Sequence, residues 1–463
     1  MISARSLLVV TVASVLSACA AGPNYHRPSL DVPATFKEAW QPAQPRDDQP
    51  RGEWWTVYGD SVLNDLEADA EKANPTIAAA EATWRSSRAL MAEGYGALLP
   101  TVSASGSTVR SRGAVAANVP LSSVTAQTQD RTGLTASWEI DLWGKLRRGL
   151  ESAHATIDAS AGDLAAAKLS IAAQLATDYV QLRALDGSLA LYATTLDGYR
   201  RSLQITRNRY AAGVAVSTDV TQAESTLATT EAQYADLIAQ RAVLEHAIAV
   251  LTGRTPEALT LDSRATLPTL PELPTAMPAS LLERRPDVAA AERRVVVANA
   301  QIGITQAAWF PTLSLTGTAG YSGSAWKNLF KVPAEYWTFG PQLAESILSG
   351  GTRITQSLQA RANYDVAVAN YRTTVLGAFQ SVDDALANLK ALAVESEADG
   401  RAAEAAQATL KATENQYRAG TVSYLNVVIA EGTSLSANTA LINVNSRRLQ
   451  AHLALVKALG GAP

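Results

Sequence analysis

Side chains able to do chemistry are few in this 463-residue chain, and their spacing excludes more reactions than it suggests. The four histidines, His26, His154, His246 and His452, stand alone, without the close partners of a metal or proton-transfer site such as HExxH. His452 falls beside an apolar heptad stripe, where helix packing is the expected role. A single cysteine excludes an internal disulfide and a cysteine-based zinc site. Three methionines (Met1, Met91, Met277) are too few to line a path for soft metal ions such as Cu(I). "GYGALLP" (94–100) contains G-x-G but follows a helical run rather than a strand, so it is no dinucleotide loop. A net charge of −4 supplies no basic face for nucleic acid. No enzyme, metal or soluble cofactor is expected.

The exception is Cys19. "MISARSLLVVTVASVLSAC" sets Arg5 before an apolar stretch from Leu7 to Leu16, then small residues before the cysteine, the layout of a secretory signal peptide. No run of 18 apolar residues appears that could cross a bilayer as a helix. The ending "LSAC" has the form of a bacterial lipobox, in which cleavage before the cysteine lets its thiol take diacylglycerol. Residues 1–18 are thus expected to be a lipoprotein signal peptide, and 19–58 a lipidated, extended segment with prolines from Pro23 to Pro50. Ala20, not an aspartate, follows Cys19, as in signals that sort to the outer membrane. Several acyl chains on one N-terminus anchor durably. This covalent lipid is the only non-protein group expected.

The remaining chain repeats itself. "NPTIAAAEA" (74–82) answers to "RPDVAAAER" (285–293), and "LPTVSASGS" (99–107) to "FPTLSLTGT" (310–318), each 211 residues on. "RYAAGVAVSTD" (209–219) has its echo in "QYRAGTVSYLN" (416–426), with the glycines 207 apart. Two copies follow, 59–253 and 279–463. The segment 254–278 between them carries Pro256, Pro268, Pro271, Pro274 and Pro278, so it is expected to be an extended linker rather than part of a core.

Each copy reads in the same order. A helix opens on Pro75 or Pro286 and is expected to reach Leu99 or Phe310, before Pro100 and Pro311. Period-two segments follow, at roughly 100–112 and 131–143, then 311–323 and 335–348. In "LTASWEIDL" (134–142), Leu134, Ala136, Trp138, Ile140 and Leu142 share one face, against Thr135, Ser137, Glu139 and Asp141. Proline-free helical runs then extend over 146–211 and 353–418, on the order of 100 Å each. Past Gly213 and Gly420 a shorter helix returns, with Ser217, Thr218 and Ser423 as expected N-caps. Leu227, Thr230, Tyr234, Leu237, Arg241, Leu244, Ile248 and Leu251 recur at three and four, and Leu435, Ile442, Leu449 and Val456 every seven, the spacing of an antiparallel coiled coil.

Four amphipathic strands cannot close a barrel, and lipid does not tolerate open edges. Pooling strands from three subunits would give roughly twelve, above the minimum of about eight. Five of nine tryptophans (Trp138, Trp143, Trp309, Trp326, Trp337) lie in or beside these strands with Tyr321, Phe330, Tyr336 and Phe339, as in interfacial girdles.

"RRPDVAAAERRVVVANAQIGITQAAWFPTLSL" (284–315), "WEIDLWGKLR" (138–147) and "YRAGTVSYLNVV" (417–428) make the mature chain similar to the TolC-like outer membrane efflux factors, NodT/OprM lipoprotein branch. The resemblance implies a mixed α and β membrane protein, a homotrimer with a 12-stranded barrel in the outer membrane and a periplasmic tunnel of long antiparallel coiled-coil helices. It implies an exit duct of a tripartite pump, passively conducting drugs or other small compounds. Its partners would be a periplasmic adaptor and an inner-membrane transporter, most often of the RND class. The two turns, with Tyr210, Gly213, Val214, Tyr417, Gly420 and Thr421, would then be the periplasmic tips where the adaptor docks. Family members place acids just after the turn to form a constriction. Here the first copy has Asp219 and Gln222, and the second Asn426 and Ile429, so Asp219 is the expected axial acid, unless it only supports its helix N-terminus. Glu431 stands where a neutral Gln is usual. A periplasmic adaptor-type or structural coiled-coil lipoprotein is the alternative. Adaptors do not duplicate a strand pair with aromatic borders, and a pure coiled coil lacks strands.

Overall fold

The computed structural model describes residues 20–28, 52–112, 126–271, 285–331 and 334–461. The leader and Cys19 lie outside the described residues. Helices α1 (Ser61–Ala73) and α2 (Pro75–Gly96) lead into strands β1 (Thr101–Ser111) and β2 (Gln127–Ile140). Helices α3 (Lys145–Ala211) and α4 (Ser217–Leu251) complete the first copy. The second runs α5 (Pro286–Ala307), β3 (Thr312–Gly323), β4 (Glu335–Ala344), α6 (Thr352–Arg418) and α7 (Tyr424–Ala458). α2 and α5 have 22 residues each, α3 and α6 have 67, and α4 and α7 have 35. The offset between copies is 286 − 75 = 211 at the first helix and 352 − 145 = 207 at the long one, so the four-residue difference falls in the strand region.

The residues fall into two compact units. The first contains the sheet and takes in 83–160, 290–372 and the N-terminal stretch. Its four antiparallel strands lie in the order β1-β2-β3-β4, so β2 and β3 join the two copies and β1 and β4 are edges. The register aligns Val102 with Ala136, Trp138 with Leu315, and Leu315 with Pro341, all on the apolar face. Pro341 is accommodated because β4 is an edge strand, where a missing N–H is tolerated. β2 ends at Ile140 rather than 143, where Leu142 N–H turns back to the Ile140 carbonyl at 2.9 Å, and β4 ends at Ala344 rather than 348. The preceding helices stop at Gly96 and Ala307, three residues before the expected Leu99 and Phe310. Hydrogen-bonded turns such as Leu99 N–H to Gly96 O replace the last helical residues, because the residue before a proline avoids the α region.

Residues 20–28 are extended but pinned to this unit. Ala21 N–H donates to the Trp143 carbonyl at 2.9 Å, and Arg148 donates to the carbonyls of Ala21 and Gly22 and to Asn24 Oδ1. Asn299 donates to the Pro23 carbonyl at 3.1 Å, and Arg27 pairs with Glu292 at 3.2 Å. Gly22 has φ +95°, and a Cβ there would collide with the backbone of Gly303.

The second unit takes in 52–82, 161–271, 285–289 and 373–461 among the described residues. Its core joins Leu175, Leu182, Ile248, Leu449 and Leu453 from α3, α4 and α7 to Leu63, Leu66 and Ala70 of α1. α1 is an element that no expectation covered; Asp60 caps it, accepting from Val62 and Leu63 N–H. The N-terminal segment also departs from a wholly extended chain. Trp54–Tyr58 form a 3-10 turn, with Trp54 and Tyr58 in the core and Tyr58 Oη 2.7 Å from His452 Nδ1. That contact gives His452 the packing role, and burial lowers its pKa. The linker expectation is likewise corrected. Residues 259–271 have no regular structure, yet Leu259 and Leu261 are buried in the core. Arg183, Asp186, Arg241 and Glu245 hold it there. Asp186 accepts from Ser263 and Arg264, Arg183 and Arg241 donate to the Asp262 and Leu261 carbonyls, and Glu245 accepts from Leu261 N–H. In the described part of the linker Pro256 opens a single 3-10 turn, Pro256–Ala258, and the prolines do not prevent burial.

Candidate functional site

Two parts of the molecule carry function: the sheet and the pair of helix turns. In the sheet, Leu134, Ala136, Trp138 and Ile140 stand opposite Ala319, Gly317, Leu315 and Leu313, which in turn stand opposite Trp337, Phe339, Pro341 and Leu343. The alternate residues pair Ser103 with Thr135, Thr135 with Thr318 and Thr318 with Thr338, whose hydroxyls are 2.5 Å apart. Over residues 134–140, 313–319 and 337–343, one face is therefore largely hydrocarbon and the other mainly Ser and Thr. Trp337, Phe339 and Leu343 are 73, 70 and 67% exposed, which a water-facing sheet would not sustain. Aromatics gather at both strand ends. Trp143 stacks on Phe310 at 4.6 Å near one, and Tyr321 packs edgewise on Phe330 at 5.5 Å near the other.

At the turns, Gly213 and Gly420 have φ +74° and +77°. The Val214 and Thr421 N–H groups return to the Arg209 and Gln416 carbonyls, and the glycine N–H groups to Tyr210 and Tyr417, a Schellman end in both copies. The returning helices pack back antiparallel: Arg200 pairs with Glu231 and Arg207 with Glu224, seven up against seven down. The cap expectation is corrected. Val216 is the N-cap of α4, Ser217 and Thr218 are already helical, and Ser423 occupies the N-cap of α7 without a side-chain bond. The Val216 and Ser423 carbonyls instead accept from Asp219 and Asn426 N–H, closing the first turn through the backbone.

The site residues separate by exposure. Tyr210 and Val214 are 50 and 66% exposed, whereas Tyr417 is buried in a cluster with Leu203, Ala223, Tyr424 and Val427. Arg209 lies over the Tyr417 ring at 4.7 Å and donates to its carbonyl at 3.1 Å, so the turns of the two copies are packed together. Asp219 is half-buried, and Gln222, Asn426 and Ile429 are exposed. Residues whose burial the expectations missed lie just beyond. Glu431 is buried with its Oε2 unpartnered, and burial, then the charge of Glu414, raise its pKa to about 7. Burial likewise raises that of Tyr424 to about 12. The signal was available: moved back by 207, Glu414 and Glu431 fall on Arg207 and Glu224, an ion pair.

An open sheet with one hydrocarbon face, in a chain with paired long helices, is the subunit of a membrane channel. Over residues 66–254 and 277–461 the chain matches the family described as outer membrane efflux protein. It is 31% identical to the probable efflux pump outer membrane protein TtgC of Pseudomonas putida, over 99% of this chain and 96% of that one. It is 29% identical to nodulation protein T of Rhizobium leguminosarum bv. trifolii, covering 92 and 90%. The structure of the outer-membrane channel OprN superposes with a TM-score of 0.86 at 29% identity, covering 96% of this chain and 99% of that one. The chain belongs to the outer membrane efflux protein family. It is a channel of the outer membrane that extends into the periplasm and serves efflux, not an enzyme.

Proposed function

We propose that three copies pool their sheets into a barrel of roughly twelve strands, forming the exit duct of a tripartite pump for small organic compounds. The observation that carries this is the sheet, which ends in two edges within the subunit and turns hydrocarbon to one side and hydroxyls to the other. A closed ring satisfies both edges and leaves a polar lumen. The name of TtgC, an efflux pump outer membrane protein, supports other pump components as partners. That these are a periplasmic adaptor and an inner-membrane transporter of the RND type is what the sequence resemblance implies. Tyr210, Gly213, Val214, Gly420 and Thr421 form the adaptor-facing surface, and Tyr417, being buried, holds that surface rather than touching the adaptor. Asp219 is the axial acid of the constriction, with Gln222, Asn426 and Ile429 around it. The lipid on Cys19 anchors the assembly. Support comes from the next residue, Ala20, which lies against Gly144 in the turn between β2 and α3. The duct is tested with detergent-extracted protein. A heat-resistant species of three subunits and discrete single-channel currents are expected, with cation selectivity reduced in Asp219→Ala. A monomer without conductance would remove the duct, and unchanged selectivity would remove the role of Asp219.

A further inference from the structure

We propose that the second unit carries a binding site for a small organic ammonium ion, formed around Glu67 of α1 and walled by Trp54 and Trp55. A cavity of about 290 Å³ lies between the N-terminal turn, α1, α2 and α3. That is roughly twice the volume of an engineered apolar cavity that holds benzene. Trp54, Trp55, Ile77 and Leu169 supply its apolar lining. Glu67 also lines it, is 2% exposed, and has an Oε1 without a hydrogen-bond partner.

A buried carboxyl with a free oxygen is costly, and packing does not require it, since its neighbours Leu63, Leu66 and Ala70 form the core without it. Burial first and the charge of Glu71 second raise its pKa to about 9, so at pH 7 the empty site holds a neutral acid. The other charged groups lining the cavity are Glu53 from the turn, Glu71 from α1 and Lys168 from α3. Lys168 is neutralised by Glu71 at 2.7 Å, which leaves the Glu53 carboxylate as the negative balance of the empty site and Glu67 as the group that ionises on binding. Such a balance selects a cation, and indole faces favour one further. On binding at pH 7 the Glu67 O–H bond breaks, its proton passes to the buffer, and the carboxylate pairs with the incoming ammonium. No covalent bond to the ligand forms.

Calorimetry on the full chain in detergent tests this with 2-phenylethylamine and its neutral counterpart 2-phenylethanol. Saturable binding of the amine is expected, with about one proton released per bound molecule at pH 7 and affinity rising toward pH 9. The alcohol should bind at least tenfold more weakly and release no proton, as expected when a charged hydrogen bond is lost. Glu67→Gln, with matching helical circular dichroism, should lose the amine preference and the proton release. Equal binding of the two probes, or no binding of the amine at millimolar concentration, would overturn the site without any variant. Retained proton release in Glu67→Gln would overturn the assignment to Glu67.

Discussion

The turns at Gly213 and Gly420 share a backbone and differ in almost every interaction that side chains make there. Tyr210 is exposed, and its counterpart Tyr417 is buried beneath Arg209. Arg207 and Glu224 form an exposed ion pair at 2.7 Å, whereas the same register in the second copy brings together two acids, Glu414 and a buried Glu431. Duplication preserved the glycine and the helix lengths, because those are set by backbone geometry. The side chains were free to diverge once each copy had a different neighbour. Both turns share the buried cluster around Tyr417; the first adds an exposed ion pair, and the second a buried carboxyl that prefers to be neutral.

The largest effect separating the turns should come from their tyrosines. Tyr417→Ala removes a buried ring and should lower the free energy of local opening by about 3–5 kcal/mol, while Tyr210→Ala should change it by no more than about 0.5. Amide exchange protection, at the tips of α6 and α7 for Tyr417→Ala and of α3 and α4 for Tyr210→Ala, measures these changes, and equal effects would erase the asymmetry. Next is Glu431. Its carboxyl titrates near 4.5 when unfolded and near 7 when folded, so the folded tip binds the extra proton between those values. Stability therefore falls as pH rises from about 4.5 to 7, by on the order of 3 kcal/mol, and stays reduced above. Glu431→Gln should raise protection at pH 8, after correction for intrinsic exchange rates, and do little at pH 5. A gain of the same size at both pH values would mean that the carboxylate charge is not the cause. Smallest is Arg207→Glu, which copies the like-charge pair into the first turn. Both side chains there are about half exposed, so a loss within about 0.5 kcal/mol is expected, and it should vanish in high salt.

How far the sequence foretold this depends on the scale of the feature. The long helices were expected at 146–211 and 353–418 and run Lys145–Ala211 and Thr352–Arg418, since uninterrupted helix formers ending at a glycine leave little choice. The strands were legible through their period of two, which also fixed which face is apolar. Strand ends and helix caps were not, because Val216 and the 140–142 turn are decided by backbone bonds that side-chain type does not announce. Least legible was burial of charge. Asp186, Glu67 and Glu431 look like surface helix residues, and only packing from distant segments shows otherwise. The linker shows the same limit, since Leu259 and Leu261 are core residues in a stretch whose prolines suggested exposure.

The pinned N-terminal stretch also has a consequence for the order of events during maturation. Its partners are Arg148 in the first copy and Asn299, Glu292 and Tyr371 in the second, with Arg27 and Tyr371 separated by 344 positions. Residues 20–28 are among the first to leave the ribosome, yet they have nowhere to settle until both copies exist. Contacts of such long sequence separation form late in folding. A stretch made early is thus seated late, and its docking reports that both copies of the sheet-bearing unit are in place.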